Sequence, residues 1–191
     1  MTVQNLLRQA VDEIKRIYPK YDEQKAFENL IAYMSIHLGA TNYFLASPKV
    51  TLQTVALVSE MVDLARHSIP HDYLSDMAQD LGFISKEQDV NPHMLKYLDG
   101  KITTISLKAS SNFVSCFNQY GKNVVYFCTE SNLLSYHIAL NNKKLYDIPG
   151  MILYVTQDID TSLGATSWHY ANTWLPPWVP QKQKKASKKV I

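Results

Sequence analysis

Apolar residues in the first half of the chain recur at three- and four-residue steps, the spacing that gathers them on one face of a helix. Val3, Leu6, Leu7, Ala10, Val11, Ile14 and Ile17 define a helix over 3–18, ended by Pro19. Asp22 caps a second, with Phe27, Leu30, Ile31, Met34 and Leu38 as its stripe, running at least to Gly39 and as far as Phe44. After the Ser47-Pro48 break a third starts near Thr51, with Leu52, Val55, Val58, Met61, Val62, Ala65 and Ile69 on one broad face. Pro70, whose missing N–H costs nothing at a first helical position, opens a fourth over 70–81, and Gly82 stops it.

From about residue 85 the pattern changes. A polar stretch and the Asn91-Pro92 turn signal precede one helical turn over 93–98 and the hairpin-type dipeptide Asp99-Gly100. The β-branched run 102–107 predicts a strand, as do 113–117, 124–128, 134–140, 144–146 and 151–156, with Asn141-Asn142 as a two-residue turn. The predicted class is α+β: an N-terminal four-helix layer or bundle followed by an antiparallel strand-rich half. A single domain is expected over 1–165, helical over 1–84 and strand-rich over 100–157. A Trp/Pro-rich arm and Lys-rich tail follow over 166–191.

Composition narrows the class. At 191 residues, 46% hydrophobic and 19% charged, the chain suits an ordinary globular core that needs no staples. The two cysteines, Cys116 and Cys128, fit buried free thiols better than a disulfide framework. No secretory leader pattern opens the chain and its longest apolar run, 55–62, is interrupted by Ser59 and Glu60, so a cytoplasmic protein without membrane contact is expected.

The net charge of +2 hides an asymmetry. Lys182, Lys184, Lys185, Lys188 and Lys189 fall in the last ten residues; without these five of the 19 basic residues, 14 face 17 acidic ones and the body stands near −3. A basic tail on an acidic body is a candidate nucleic-acid contact whose affinity would fall with salt. Trp168, Trp174 and Trp178, set among Pro176, Pro177 and Pro180, are candidate anchors for a protein interaction.

The sharpest local pattern is Arg66-His67-Ser68-Ile69-Pro70-His71-Asp72-Tyr73: Arg, four residues, His, one residue, Tyr. It resembles the signature of HEPN ribonucleases, helical-bundle proteins that cut RNA without a metal. The resemblance implies His71 as general acid or base on the ribose 2′-hydroxyl, Arg66 as charge stabiliser at the phosphate and Tyr73 as support. It spans eight residues, and Pro70 inside it departs from the pattern.

Two further constellations suggest themselves. Met77, Ala78, Leu81, Gly82 and Phe83 match the first helix and turn of a helix-turn-helix, with 101–107 as a wing, although Asp76, Asp80, Glu87 and Asp89 would repel phosphates. Cys116, His137 and Asp147 supply nucleophile, base and orienter, and the stretch 137–147 looks like the His-strand of papain-like and transglutaminase-like hydrolases. No metal site or cofactor is expected: His67 and His71 straddle Pro70, His37 suits a core histidine, and there is neither a paired CxxC nor a phosphate-cradling glycine loop.

These features together predict a small intracellular interaction or regulatory protein without catalytic activity. It would dock on a protein partner or form a homo-oligomer, with nucleic acid reached through the tail. A HEPN-like metal-independent ribonuclease is the enzymatic alternative, and a helix-turn-helix DNA-binding regulator a third.

Overall fold

The computed structural model describes residues 1–40, 48–85, 93–96, 102–107, 112–156 and 167–174. The first half holds four helices: α1 (Val3–Ile17), α2 (Glu23–His37), α3 (Leu52–Arg66) and α4 (Tyr73–Asp80). Each is preceded by an oxygen-bearing cap. Thr2, Asp22, Thr51 and Asp72 accept from the backbone N–H three residues on, satisfying one of the donors a helix start leaves open.

Several boundaries correct the expectation. The α2 helix closes at His37 instead of reaching Gly39, and its extension towards Phe44 falls on 41–47, outside the described residues. His37 is exposed at the helix end, its ring 5.9 Å from that of Tyr33, and is no core histidine. At the next junction α3 stops at Arg66, leaving Ile69 80% exposed. Pro70 precedes α4 rather than opening it, because the Asp72 carboxyl provides a cap that a proline ring lacks.

The second half overturns the antiparallel expectation. It runs β1 (His93–Lys96), β2 (Ile102–Leu107), α5 (Phe113–Tyr120), β3 (Val125–Glu130), α6 (Leu133–Leu145), β4 (Gly150–Thr156) and β5 (Ser167–Trp174). The strands form one mixed sheet in the order β1-β2-β3-β4-β5. Its centre is parallel, β2 beside β3 and β3 beside β4, while β1 and β5 pair antiparallel with their neighbours. Residues 108–124 and 131–149 separate the parallel strands, and each stretch exceeds the dozen or so residues a parallel crossover needs.

The segments expected as strands at 113–117, 134–140 and 144–146 are helices, and Asn141-Asn142 lies inside α6 rather than in a turn. The turn expected over 93–98 is the strand β1 in its described part, while Asp99-Gly100 lies outside the described residues. Of the arm expected over 166–191, residues 167–174 form the edge strand β5.

The crossover helices cover one face of the sheet. Tyr126, at the centre of β3, meets the rings of Phe113 and Phe117 edge-on, each at 6.1 Å, and its hydroxyl reaches Gly121 O at 2.9 Å. On that face Ile105, Leu107, Tyr126, Cys128 and Ile152 are buried in a core that runs on without a break into α1, α2 and α3.

The joint between the halves is α6, which packs on β3 and β4 on one side and on α2, α3 and α4 on the others. Burial all round forces its polar residues to find partners. Asn141 Nδ2 donates to Ile31 O at 3.1 Å, and Ser35 Oγ stands 3.0 Å from both Ile31 O and Asn141 Oδ1, so its one proton serves either. A second polar clamp holds the start of α3: Asn29 of α2 donates to Lys49 O at 2.7 Å and accepts from Lys49 N at 2.9 Å.

Two substitutions test this framework. Asn141→Ala should lower stability by about 1–3 kcal/mol, because it removes the buried amide bonds to Ile31 O and Ser35 and leaves a gap between α6 and α2, and chemical denaturation with an unchanged m-value would report it. Gly150→Ala should cost about 3 kcal/mol or more. Gly150 sits at φ 137°, and a Cβ there would lie 1.9 Å from Tyr126 O, backbone that has no room to yield in the β3–β4 ladder. A Gly150→Ala protein with the wild-type melting temperature would show that β4 does not approach β3 as described.

Candidate functional site

A group of titratable side chains lies where α3 hands over to α4. Arg66 ends α3, exposed and without an ion-pair partner among the described residues. His71 follows in the connection; its Nε2 lies 2.6 Å from Asp76 Oδ2, one turn into α4, and its ring centroid stands 4.6 Å from that of Tyr73. The signature residues His71 and Tyr73 therefore share a site, with a carboxylate that orients the imidazole. His67 is turned back, its Nδ1 2.7 Å from Asp63 O.

The connection is pinned from behind. Tyr146 of α6 donates to His71 O at 2.8 Å and accepts from His71 N at 3.3 Å, and Asn118 of α5 donates to Pro70 O at 2.6 Å. Asp72 Oδ1 accepts from Ser75 N at 3.0 Å, as the α4 cap, and from Asn142 Nδ2 of α6 at 2.6 Å. Its other oxygen, Oδ2, is buried without a partner, as are Ser75 Oγ and Asn142 Oδ1.

Burial raises the Asp72 carboxyl above its ordinary range. The Ser75 backbone N–H, the Ser75 hydroxyl, close by but without a well-formed bond, and the Asn142 amide pull it down, and the charge of Asp76 pushes it further up. Burial likewise lifts the Tyr146 phenol to about 12.

Sequence reasoning missed Asp72, Asp76, Asn142 and Tyr146. Asp72, an oxygen-bearing residue just ahead of an apolar helix, was legible as a cap. Asn142 and Tyr146 come from some 70 residues away, and no local pattern announces them.

The other candidates are scattered. Cys116 is buried on α5 and burial pushes its thiol up, the reverse of what a nucleophile requires. His137 and Asp147 are ten residues apart, near the start and just beyond the end of one helix, a separation of roughly 15 Å at helical rise, so they form no relay. Both cysteines are buried thiols, and no disulfide occurs among the described residues.

Met77 and Ala78 are buried in the α4 contact with the core, and the place for a recognition helix is taken by 86–92, outside the described residues, and by the strand β1. Trp168 and Trp174 lie on β5; Trp178 and the five tail lysines lie outside the described residues. No cluster of metal-ligating side chains occurs among the described residues, and no helix among them is long and apolar enough to cross a membrane.

Two surfaces complete the inventory. A polar cleft between α1 and α4, lined by Gln4, Asn5, Arg8, Met77 and Asp80, measures about 130 Å³, well under the several hundred Å³ of an ordinary small-molecule site. The second face of the sheet is apolar along part of β3 and β4, with Thr104 of β2 and Thr129 of β3 beside that patch. Phe127 pairs with Met151 and Thr129 with Leu153 in adjoining parallel strands, and Val125 precedes Phe127 on the same face. Phe127, Met151 and Leu153 are half-buried, and none of these residues belongs to the core that fills the opposite face.

The buried imidazole of α6 sets a pH limit on the fold. Burial lowers the pKa of His137 to about 4, against about 6.5 in an unfolded chain. The unfolded state then binds the proton more readily, so stability present above pH 6.5 should fall as pH drops towards 4. Melting temperatures recorded across that window should decline in the wild type and decline less in His137→Gln; equal slopes would remove His137 as the cause.

In comparisons with known proteins no family model, no curated protein and no solved structure matches this chain.

Proposed function

We propose that this is a non-catalytic interaction or regulatory protein of the cytoplasm that docks on a protein partner through the outer face of its sheet. The observation that carries the reading is the apolar row Phe127, Met151 and Leu153, half-buried, uncharged and outside the core cluster, with the buried Val125 at its edge. Parallel strands occur almost only in sheets covered on both faces, so an apolar second face asks for a covering layer. Burying three or four such side chains supplies several kcal/mol, enough to anchor a partner. The basic tail would add salt-sensitive attraction to nucleic acid or an acidic surface near that partner.

A photo-crosslinking residue at position 127 or 153 of the full chain, expressed in its own cell, tests this. The expected result is a crosslink to one other polypeptide that Leu153→Lys abolishes while the melting temperature holds within a few degrees. Crosslinks confined to the chain itself, or none at all, would sink the proposal.

A second reading rests on the 2.6 Å contact of His71 with Asp76 beside Tyr73, with Arg66 exposed at the end of α3, five residues earlier in the chain. An imidazole oriented by a carboxylate is a competent proton carrier, and an unpaired guanidinium suits a phosphate. This HEPN-like ribonuclease reading expects cleavage of single-stranded RNA that survives chelator and leaves a 2′,3′-cyclic phosphate. His71→Ala should abolish it and Arg66→Ala cripple it, with circular dichroism unchanged. No cleavage by the wild type would leave docking as the function.

A further inference from the structure

The start of α4 is fastened to α6 by one short contact, Asn142 Nδ2 to Asp72 Oδ1 at 2.6 Å. A carboxyl and a primary amide are both planar with two polar atoms each, and bonding one pair brings the remaining two towards each other. Here those two are Asp72 Oδ2 and Asn142 Oδ1, both buried and neither with a partner. If Asp72 were ionised, both would be acceptors; the nearby Ser75 hydroxyl could serve Asp72 Oδ2, but Asn142 Oδ1 would keep its desolvation cost with nothing returned. A proton on Oδ2 turns the first into a donor and closes the second bond.

We propose that Asp72 is held as the neutral acid in a two-bond pair with the Asn142 amide, making the α4–α6 joint a latch that a proton closes and its loss opens. No atom other than that proton is exchanged: Oδ2–H donates to Asn142 Oδ1, and deprotonation releases it to solvent.

The surroundings favour the neutral form. Among the described residues no cation forms an ion pair with Asp72, and neighbouring His71 is turned to Asp76. The groups facing Asp72 are Asp76 from α4, whose negative charge opposes a second one, the uncharged Ser75 from α4 and Asn142 from α6, and Tyr146 at the end of α6. From α5 comes only the uncharged Asn118, on Pro70 O, and Arg8 of α1 lies by Asp80 at the far end of α4. Desolvation of the carboxyl acts in the same direction.

The latch has a consequence for the surface. Asp72 lies between His71 and Tyr73, so opening it loosens the segment that holds the imidazole against Asp76. A folded-state midpoint above that of the unfolded chain, near 4, means the folded protein binds this proton more tightly. Its stabilisation is complete below pH 4 and is lost as pH rises through the folded midpoint, the opposite sense to His137.

The test uses the full chain with ¹³C-labelled aspartate, following the Asp72 carboxyl by NMR from pH 3 to 8. The expected midpoint lies above that of an ordinary aspartate. Asp72→Asn, which keeps both bonds as an amide pair without a titrating group, should gain melting temperature on the wild type steadily as pH rises from 4 to 8. An Asp72 midpoint at or below about 4, or a difference between the two proteins that does not change with pH, would overturn the proposal. Should Asp72→Asn not fold, the wild-type titration decides alone.

Discussion

Burial of α6 on every side is the constraint on which the rest of the structure depends. A helix with one apolar stripe can rest on a core and leave its polar face in water. This one lies between a sheet and a helical layer, so Asn141, Asn142 and His137 are all inside. Each must therefore be matched by a group on a neighbouring element, and those matches set where the neighbours sit. Asn141 sets α2 through Ile31 O and Ser35, Asn142 sets the start of α4 through Asp72, and Tyr146 at the helix end holds the connection before it. Buried polar pairs of this kind contribute modestly to stability, yet breaking one costs more than making it returned. They select one packing of the two halves over others that would bury the same apolar area.

That same constraint explains which parts of the fold could be read from the chain. The helices α1 to α4 obey a simple rule, apolar residues on one face and caps at the start, and β2, β3 and β4 are β-branched or aromatic runs bounded by turns. The α6 helix obeys neither rule. Its interior Asn-Asn pair has low helix propensity and high turn propensity, and only contacts with Ile31 and Asp72, distant in sequence, overrule that preference. Reading α6 as a hairpin then led directly to an antiparallel sheet, since a hairpin leaves no crossover to make strands parallel. For α5 the signal was present: Phe113, Val114, Cys116 and Phe117 are spaced as one helical face over two turns, too short a stretch to outweigh the aromatic and β-branched content.

The candidate site was legible in the same uneven way. Arg66, His71 and Tyr73 stand out because spacing alone marks them, and two of the three meet. Asp76, which orients His71, is five residues further on and was read only as unwelcome negative charge near a nucleic-acid surface. A local pattern thus located the site, whereas its electrostatics depend on side chains from α4 and α6 that the pattern does not contain.

The sheet carries the last consequence of parallel topology. Parallel strands joined by helices have one face covered by construction, and here α5 and α6 fill it with a continuous core. Nothing in the connections obliges the second face to be apolar; an antiparallel sheet with one wet face would alternate apolar and polar residues along each strand. In β3 and β4 the alternation fails, because Val125, Phe127, Met151 and Leu153 are apolar where a solvated face would carry charge. Substituting the half-buried Phe127, Met151 and Leu153 with charge would cost the fold less than the same change in the core on the other side, whereas Val125 is itself buried. That those three positions carry no charge is the feature of the surface on which the proposed docking face rests.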